Sequence, residues 1–375
     1  MHILNYIIWN GSPELISIGP ITLRWYGLLF AMGFLISQQI LYYMFKAEGK
    51  PQRDVDTLTI YMVIATIVGA RLGHIIFYEP EMFLKNPLRI ILPFQFTPEF
   101  HFTGYEGLAS HGGAFGILFA LWLYSRKKKP GQNYLQTLDR IVILVALTGA
   151  LIRFGNFFNS EILGKPYHGP TGVVFISRLT DALKGNPKNQ DNLVQTVVVE
   201  KDNDLPKYSN GRVPLKVLIL FNPGVSQVNA EFFCRSNVKS MLFYLTEFAD
   251  SPTDGVVPFQ TIYDEKSNQV LARVGIMGIS RHPAQLYESI SCVFLFAFLF
   301  YIWWRHKNNL PEGRIFGYFM IILWSLRFGY EYLKINQVPF EDQLPLNMGQ
   351  ILSIPLVIVG VFILIRSYRK SLPNS

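Results

Sequence analysis

The sequence has few of the residues on which a soluble globular chain depends. Only 16% of its 375 residues are charged and only two are cysteines, whereas 50% are hydrophobic. Two cysteines, Cys234 and Cys292, exclude a disulfide framework. So little charge argues against an ordinary soluble protein of this length. No Lys or Arg precedes Arg24, so the basic region of a cleavable signal peptide is absent, and we expect the first apolar run to be retained as a membrane span.

Several catalytic and binding motifs are also missing. The sequence contains no HExxH pair, no P-loop, no GxSxG elbow and no Rossmann fingerprint. These absences predict a protein without a metal and without a tightly bound cofactor. The net charge of +8 would fit a nucleic-acid partner, but the distribution of the basic residues, described below, does not favour one.

Apolar runs of membrane-spanning length dominate what is present. About 20 apolar residues cross a hydrocarbon core as a helix. Seven runs approach that length: Ile21–Phe45, Leu58–Tyr78, Leu108–Tyr124, Ile141–Phe158, Leu286–Trp304, Ile315–Leu333 and Ile351–Ile365. The sequence therefore predicts an all-α polytopic membrane protein with seven transmembrane helices.

The basic residues fall in alternate connections between these runs. Thirteen share one side: Lys46, Lys50, Arg53, Arg126, Lys127, Lys128, Lys129, Arg305, Lys307, Arg314, Arg366, Arg369 and Lys370. The short connections of the other side hold Lys85, Arg89 and Lys334. Because positive charge accumulates in cytoplasmic loops, this pattern predicts an N-terminus outside and a C-terminus in the cytoplasm.

One long polar interruption divides the membrane body. Residues 1–163 are predicted to hold spans one to four, with an aromatic and proline-rich interfacial segment at 79–107, and residues 282–375 hold spans five to seven. The intervening residues 164–281 contain β-rich runs separated by polar turns, and the cluster Asp264–Asn268 is typical of a hairpin turn. We expect this part to form a small α+β extracytoplasmic head.

Ionisable residues recur at one depth in different spans. Arg71, Arg153 and Arg327 each lie twelve or thirteen residues from the cytoplasmic start of a span, about 20 Å along a helix. His111 and Tyr26 begin two other spans on the outer side. A single membrane arginine can be a clamp between helices, and Glu331, four residues after Arg327, could simply neutralise it. The shared depth favours a functional site over these structural interpretations.

Arginines at the depth of lipid headgroups are suited to binding phosphate. A guanidinium offers fixed bidentate donors and keeps its charge. The stretch from Arg153 to Gly164 adds amides and a carboxylate, and the glycines after His111 allow close approach of backbone or ligand. His111 could accept or relay a proton. The residues predict a pocket for a phospholipid headgroup.

At these residues the sequence closely resembles the bacterial phosphatidylglycerol:prolipoprotein diacylglyceryl transferases. The resemblance covers most of the membrane body and rests on several ordered motifs: Ser17-Ile-Gly-Pro20 with Arg24-Trp-Tyr26-Gly, Gly69-Ala-Arg71-Leu-Gly73, Ser110-His111-Gly-Gly113, Arg153-Phe-Gly-Asn156-Phe-Phe-Asn159-Ser-Glu161, Arg281-His-Pro-Ala-Gln285-Leu-Tyr287-Glu288, Arg327 with Glu331, and Met348-Gly-Gln350-Ile-Leu-Ser-Ile-Pro355. The sequence departs from the family pattern at Arg24, Ile152, Lys165 and Leu323, and its outer segment is longer than usual.

The resemblance implies a reaction and a set of roles. Such enzymes move the diacylglyceryl group of phosphatidylglycerol to the lipobox cysteine of preprolipoproteins and release glycerol 1-phosphate, the first step of lipoprotein maturation. It implies a multi-pass protein of the bacterial inner membrane, with its active site toward the outer leaflet. By position, His111 would help to generate the thiolate, and Arg153 and Arg327 would bind the phosphate and stabilise its departure. The remaining substrate-binding residues expected are Tyr26, Arg71, Asn156, Asn159, Glu161, Gly164, Gln285 and Glu331.

Two other classes of function fit some of these features. A lipid or anion transporter also needs buried arginines, although the sequence shows no internal repeat. A binding or assembly module would use the long outer segment to recruit partners. A transporter leaves its substrate chemically unchanged, so the product distinguishes it from a transferase.

Overall fold

Long helices hold more of the described residues than the strands do. The computed structural model describes residues 6–18, 21–82, 94–95, 101–102, 109–185, 192–203, 211–252, 255–335 and 343–371. Its long helices are α1 (Trp25–Ala47), α2 (Arg53–Tyr78), α3 (Ser110–Ser125), α4 (Tyr134–Phe158), α8 (Ala284–His306), α9 (Arg314–Glu331) and α10 (Met348–Ser371). Within the described residues, α1, α2, α4, α8 and α10 are long and apolar enough to cross a membrane. The chain is a multi-pass membrane protein.

The prediction of an all-α protein with seven transmembrane helices, oriented N-out and C-in, is therefore wrong in two respects. The run Leu108–Tyr124 forms only the 16 residues of α3, about 24 Å of helix, which is shorter than a hydrocarbon core of about 30 Å. The run Ile315–Leu333 forms the 18 residues of α9, which include Arg314, Arg327 and Glu331. The second error concerns strands, because the chain also builds a large mixed sheet.

Seven strands form this sheet. They are β1 (Ile7–Trp9), β6 (Val173–Phe175), β7 (Val194–Lys201), β8 (Arg212–Phe221), β9 (Ala249–Asp250), β10 (Phe259–Asp264) and β11 (Gln269–Arg281). The order is β1-β6-β11-β8-β7, and β9 and β10 also pair with β11. The β1–β6 pair is parallel and the others are antiparallel. Because β1 comes from the N-terminus, the sheet is not built from residues 164–281 alone.

The β-rich runs that the sequence shows within residues 164–281 form strands of this sheet, as predicted. The hairpin turn is confirmed: Asp264, the last residue of β10, pairs with Gln269, the first of β11. Two short ladders complete the strands, one between β2 (Glu14–Ile18) and β3 (Ile21–Arg24), and one between β4 (Phe94–Gln95) and β5 (His101–Phe102). Most of the predicted interfacial segment 79–107 lies outside the described residues.

Short helices cover one face of the sheet. They are α5 (Ser177–Lys184), α6 (Gln227–Phe232), a π-helical turn (Phe233–Val238) and α7 (Lys239–Tyr244). The Ser226 hydroxyl caps α6 by accepting a hydrogen bond from the Asn229 amide at 3.2 Å. Cys234 is buried in the core between these helices and the sheet, and burial raises the pKa of its thiol to about 12.

By its contacts the chain forms two compact units. The first comprises residues 1–30, 150–291 and 327–351, and the second comprises 31–149, 292–326 and 352–375. The predicted division at 163 and 281 stays a prediction. The first unit contains the sheet, and the second contains a core of helix side chains.

A buried ion cluster fixes one end of the second unit. Glu48, just after α1, accepts hydrogen bonds from Arg140 of α4 and from the Trp303 indole of α8, at 2.9 and 2.6 Å. Lys50 adds an ion pair of 2.5 Å. Burial alone would raise the pKa of the Glu48 carboxyl, but Arg140 and Lys50 lower that pKa overall. The cluster holds the first connection against two helices.

Candidate functional site

A sharp turn after α4 positions the first polar group of the site. Ser160 and Ile162 both adopt left-handed backbone conformations, with φ of 51° and 57°. The turn brings Glu161 back to the last turn of α4, where its backbone N–H bonds to the Asn156 carbonyl at 3.1 Å. The side-chain amides of Asn156 and Asn159 donate to the two carboxylate oxygens of Glu161 at 3.3 and 3.4 Å. Three predicted site residues are thus in contact.

Three amide oxygens around this carboxylate have no donor. Gln285, near the start of α8, donates from Nε2 to the Glu161 backbone carbonyl. Its Oε1 is buried without a hydrogen-bond partner among the described residues, as are Oδ1 of Asn156 and Oδ1 of Asn159. An unsatisfied buried acceptor costs roughly 1–3 kcal/mol. The cluster is therefore suited to a ligand that brings hydroxyl or N–H donors.

Next to the amides, a chain of alternating charges joins five side chains. Arg153 Nε lies 2.6 Å from a carboxylate oxygen of Glu288 on α8, and the other oxygen of Glu288 contacts Lys334. Lys334 reaches Glu331 at 3.1 Å, and Arg327 Nε lies 3.7 Å from the same oxygen of Glu331. The Lys334 side chain is only 4% exposed, and those of Glu288 and Glu331 are 10% and 12% exposed. The attraction between these opposite charges offsets the desolvation cost of burying them at helix ends.

Arg153 and Arg327 are the two ends of this chain of charges. Arg327 on α9 experiences the positive charge of Arg153 on α4 as well as the negative charges of Glu288 and Glu331. The Nη atoms of Arg153 have no acceptor within the described part of the chain. The Tyr26 hydroxyl of α1 lies within electrostatic range of Arg153 and Glu161. Two neighbouring guanidiniums on different helices form a site for an anion with several oxygens, such as a phosphate.

Glycines allow the close approaches that this arrangement needs. A Cβ on Gly164 would lie 2.3 Å from the carbonyl oxygen of His282, and one on Gly155 would lie 3.0 Å from the Tyr26 Cα. Gly164 also forms a β-bridge with Lys334, and its carbonyl accepts a hydrogen bond from Arg281 Nη1 at 3.1 Å. Gly164 therefore ties the end of β11 to the ion chain.

His282 lies beside this junction. Its ring stacks on Tyr167 with centroids 3.9 Å apart, and its Nδ1 lies 3.4 Å from the Tyr287 hydroxyl. Burial lowers the pKa of the imidazole below its ordinary value. His282 is therefore neutral near pH 7.

The sequence patterns do not indicate every residue of this site. They show Lys334 only as a basic residue of an outer connection, and Glu288 only as part of a motif without a role. They give no role to Asn347, which caps α10 and donates to Glu331 at 3.3 Å. Asn347 and Gln350 exchange side-chain and backbone hydrogen bonds in a capping box. Two further sequence signals indicate these residues: the spacing Asn-x-x-Gln indicates the capping box, and a lysine three residues after Glu331 indicates the ion pair.

His111 and Arg71 belong to the second unit, where α2 and α3 cross at very short distance. The motifs Gly69-x-x-x-Gly73 and Gly112-x-x-x-Gly116 face each other, and a Cβ on Gly112 would lie 2.2 Å from the Gly69 carbonyl oxygen. The Ala109 amide also donates to the Ala70 carbonyl at 3.0 Å. This crossing fixes the backbone next to both residues, and their roles in binding and catalysis stay predictions.

Metal binding has no support in the described part of the chain. No group of three or more His, Cys, Asp and Glu side chains there could hold a metal ion. The chemistry that the geometry does support is the binding of an anionic, hydroxyl-bearing ligand at the ends of membrane helices.

Comparison with known proteins agrees with that chemistry. The family model described as "Prolipoprotein diacylglyceryl transferase" matches residues 13–366. Curated relatives named "Phosphatidylglycerol--prolipoprotein diacylglyceryl transferase" include one from Chloroherpeton thalassium, 31% identical over 98% of this chain and 96% of its own length. Others come from Bacteroides fragilis, 30% identical over 96% and 95%, and from Tolumonas auensis, 30% identical over 97% and 98%. With nearly the whole chain matched, and with its polar residues gathered at the ends of apolar helices, the chain belongs to the prolipoprotein diacylglyceryl transferase family.

Proposed function

We propose that this protein transfers the diacylglyceryl group of phosphatidylglycerol to the lipobox cysteine thiol of a prolipoprotein and releases glycerol 1-phosphate. The observation that carries the proposal is the ion chain at the ends of apolar helices, in which Arg153 pairs with Glu288 and Arg327 pairs with Glu331. A phosphodiester bound by these arginines would accept several charge-assisted hydrogen bonds.

The reaction is a displacement at carbon. The thiolate sulfur attacks the CH2 that joins the diacylglyceryl group to the phosphate, a C–S bond forms, and the C–O bond breaks. The electron pair stays with the phosphate oxygen, which leaves as glycerol 1-phosphate. Arg153 and Arg327 stabilise the growing negative charge on that oxygen. His111 takes the thiol proton, because the thiolate is the reactive nucleophile.

The amide cluster suits the headgroup glycerol. Its two hydroxyls can donate to two of the three buried oxygens of Asn156, Asn159 and Gln285. Glu161 holds the asparagines in place, and Tyr26 closes the side facing α1. Arg71 and Glu331 act by charge, Glu331 through its pairs with Arg327 and Lys334. Gly164 contributes its backbone.

The site faces the outer leaflet of the bacterial inner membrane. Each long helix has one end near a basic connection, as with Lys46 at the end of α1 and Arg369 and Lys370 at the end of α10. The polar residues of the site lie at or beyond the opposite ends of α1, α4, α8, α9 and α10. The positive-inside rule assigns the basic ends to the cytoplasm.

The test uses the full-length protein in vesicles containing phosphatidylglycerol, with a lipobox peptide. The expected result is a peptide mass gain of one diacylglyceryl group together with released glycerol phosphate, and neither with a peptide whose cysteine is replaced by serine. Phosphatidylglycerol that changes leaflet without chemical change would instead indicate transport. Folded protein that gives neither product would contradict the proposal.

A further inference from the structure

Two outer strands of the sheet in the first unit, β7 and β10, differ in how they are protected. At one side β7 carries a register shift between Val194 and Thr196 and ends in Glu200 and Lys201. Bulges and charges are devices that stop an edge from pairing with another chain. At the other side β10 pairs with β11 through six residues without a shift, and Ile262 is 46% exposed. The β10 edge has no register shift, and its one charged residue, Asp264, lies at the hairpin end of the strand.

The register shows which backbone groups of β10 face outward. Gly275 donates to the Pro258 carbonyl at 2.9 Å, which makes these two residues a hydrogen-bonded pair of the antiparallel ladder. Such pairs alternate along a strand, so the N–H and C=O groups of Phe259, Thr261 and Tyr263 point away from β11. They have no partner strand among the described residues. An extended peptide would satisfy all of them at once.

A groove of about 560 Å³ follows this edge. One wall consists of residues 259–262 with Val257, and the other consists of Glu231 of α6 and Arg235 of the π-helical turn. Glu231 accepts a hydrogen bond from the Thr261 hydroxyl at 3.2 Å, which holds α6 beside the strand. Interruptions of this π type are frequent at functional sites. A strand edge with a helix alongside is the geometry in which peptides bind by adding a strand.

β11 links the groove directly to the candidate active site. Its first half pairs with β10, and its last residue, Arg281, bonds to the Gly164 carbonyl. Val274, opposite Phe259, is seven residues from Arg281, about 23 Å along an extended strand. From Phe259 to Asp264, β10 runs away from the site. A bound peptide that extends from the site toward its own C-terminus would therefore run parallel to β10.

We propose that the β10 edge groove binds the part of the prolipoprotein that follows its lipobox cysteine, as an added parallel strand. This inference rests on the proposed function, because it takes the cysteine to react at the site beside Gly164. About seven extended residues span the distance, and about five more pair with the edge. A precursor with roughly twelve residues after its cysteine engages the groove, whereas one with four cannot reach it.

Light-activated crosslinking tests contact in the full-length protein. Ile262→benzoylphenylalanine places the probe at the β10 edge, on the sheet face opposite Thr261 and α6, and Val198→benzoylphenylalanine is the matched control. Val198 is 45% exposed on the same sheet face, at the opposite edge, on β7. We expect crosslinks from position 262 to a precursor with sixteen residues after the cysteine, none to one with four, and none from position 198. Equal crosslinking from both positions, or none from 262 to a precursor that is lipidated normally, would overturn the inference.

Kinetics supply the second measurement. Thr261→Pro removes one outward-facing backbone N–H without removing a hydrogen bond to β11. Val199→Pro removes one outward-facing N–H at the β7 edge without removing a hydrogen bond to β8. The hydrogen bond from the Asp202 amide to the Pro214 carbonyl shows which residues of β7 bond to β8, and Val199 is not one of them. We expect the long precursor to have about tenfold higher kcat/KM than the short one, and Thr261→Pro to reduce this ratio to near one. Val199→Pro should keep the ratio, and a ratio equally changed by both variants would contradict the groove.

The two proposals fail in different ways. If the wild-type protein lipidates neither precursor, the proposed function is wrong, whatever the crosslinks show. If it lipidates both precursors with the same kcat/KM and gives no crosslink from position 262, the function stands and the groove is wrong.

Discussion

The most informative perturbation is Arg153→Lys, because it keeps the positive charge and removes the fork of donors. The arginine uses Nε on Glu288 at 2.6 Å, which leaves both Nη groups for the phosphate. A lysine has one nitrogen and cannot serve the glutamate and two phosphate oxygens together. Transfer should therefore fall although the charge balance of the site is unchanged.

The expected loss follows from the donors removed. A hydrogen bond to a charged group contributes about 1.5–3 kcal/mol, so losing two of them costs at least about 3 kcal/mol. Each 1.36 kcal/mol is a factor of ten in rate, which gives a decrease of roughly a hundredfold or more in kcat/KM. If the donors act on the leaving phosphate, kcat falls along with kcat/KM.

The assay measures peptide lipidation at varied phosphatidylglycerol, with melting temperature as the check on folding. Arg212→Lys is the matched control, since Arg212 pairs with Asp250 at 2.5 Å on the exposed surface of the same unit. Its activity should stay within about twofold of wild type, because surface ion pairs contribute little. A folded Arg153→Lys variant with more than half of wild-type kcat/KM would refute the assignment, and so would an equal loss in the control.

Three further perturbations test other parts of the molecule. Lys334→Met leaves Glu288 and Glu331 without their shared cation and should destabilise the protein by about 3 kcal/mol. For a chain of this length, that loss lowers the melting temperature by about 4 °C. An unchanged melting temperature would contradict the ion chain. Gly112→Val should force α2 and α3 apart and abolish transfer. Gly113→Ala should be tolerated, because the added Cβ would be 3.6 Å from its nearest neighbour. Similar activity in both variants would exclude a tight crossing. His282 has a lowered pKa, so its stabilising effect is complete above about pH 6.5 and is lost as the pH falls through the folded-state value. Melting temperature should therefore decrease more between about pH 7.5 and 5.5 in wild type than in His282→Gln, and equal decreases would argue against this titration.

The fold was predicted well where a single run of residues carries the signal. Apolar runs indicated the long helices, and the polar cluster Asp264–Asn268 indicated the β10–β11 hairpin. The all-α class was wrong because the chain builds a seven-stranded sheet, and the strand least visible in the sequence is β1, three residues long, which pairs with β6 more than 160 residues away. A strand of that length has no periodicity that a sequence pattern can show. The prediction of seven spans was wrong at α3 and α9. Both runs are apolar, but α3 is too short and α9 contains charged residues.

The sequence by itself determined the membrane character of the chain, its polar residues at helix ends and its family, because these depend on composition and on the order of residues. Only the tertiary structure decided that Lys334 joins Glu288 to Glu331, that Arg153 and Arg327 belong to the same chain of charges, and that the outer edge of β10 pairs with no strand among the described residues. Residues 153, 288 and 334 are far apart in sequence, so neither periodicity nor spacing relates their charges. Packing brings them to within hydrogen-bond distance, where the cost of burying each charge makes the others necessary.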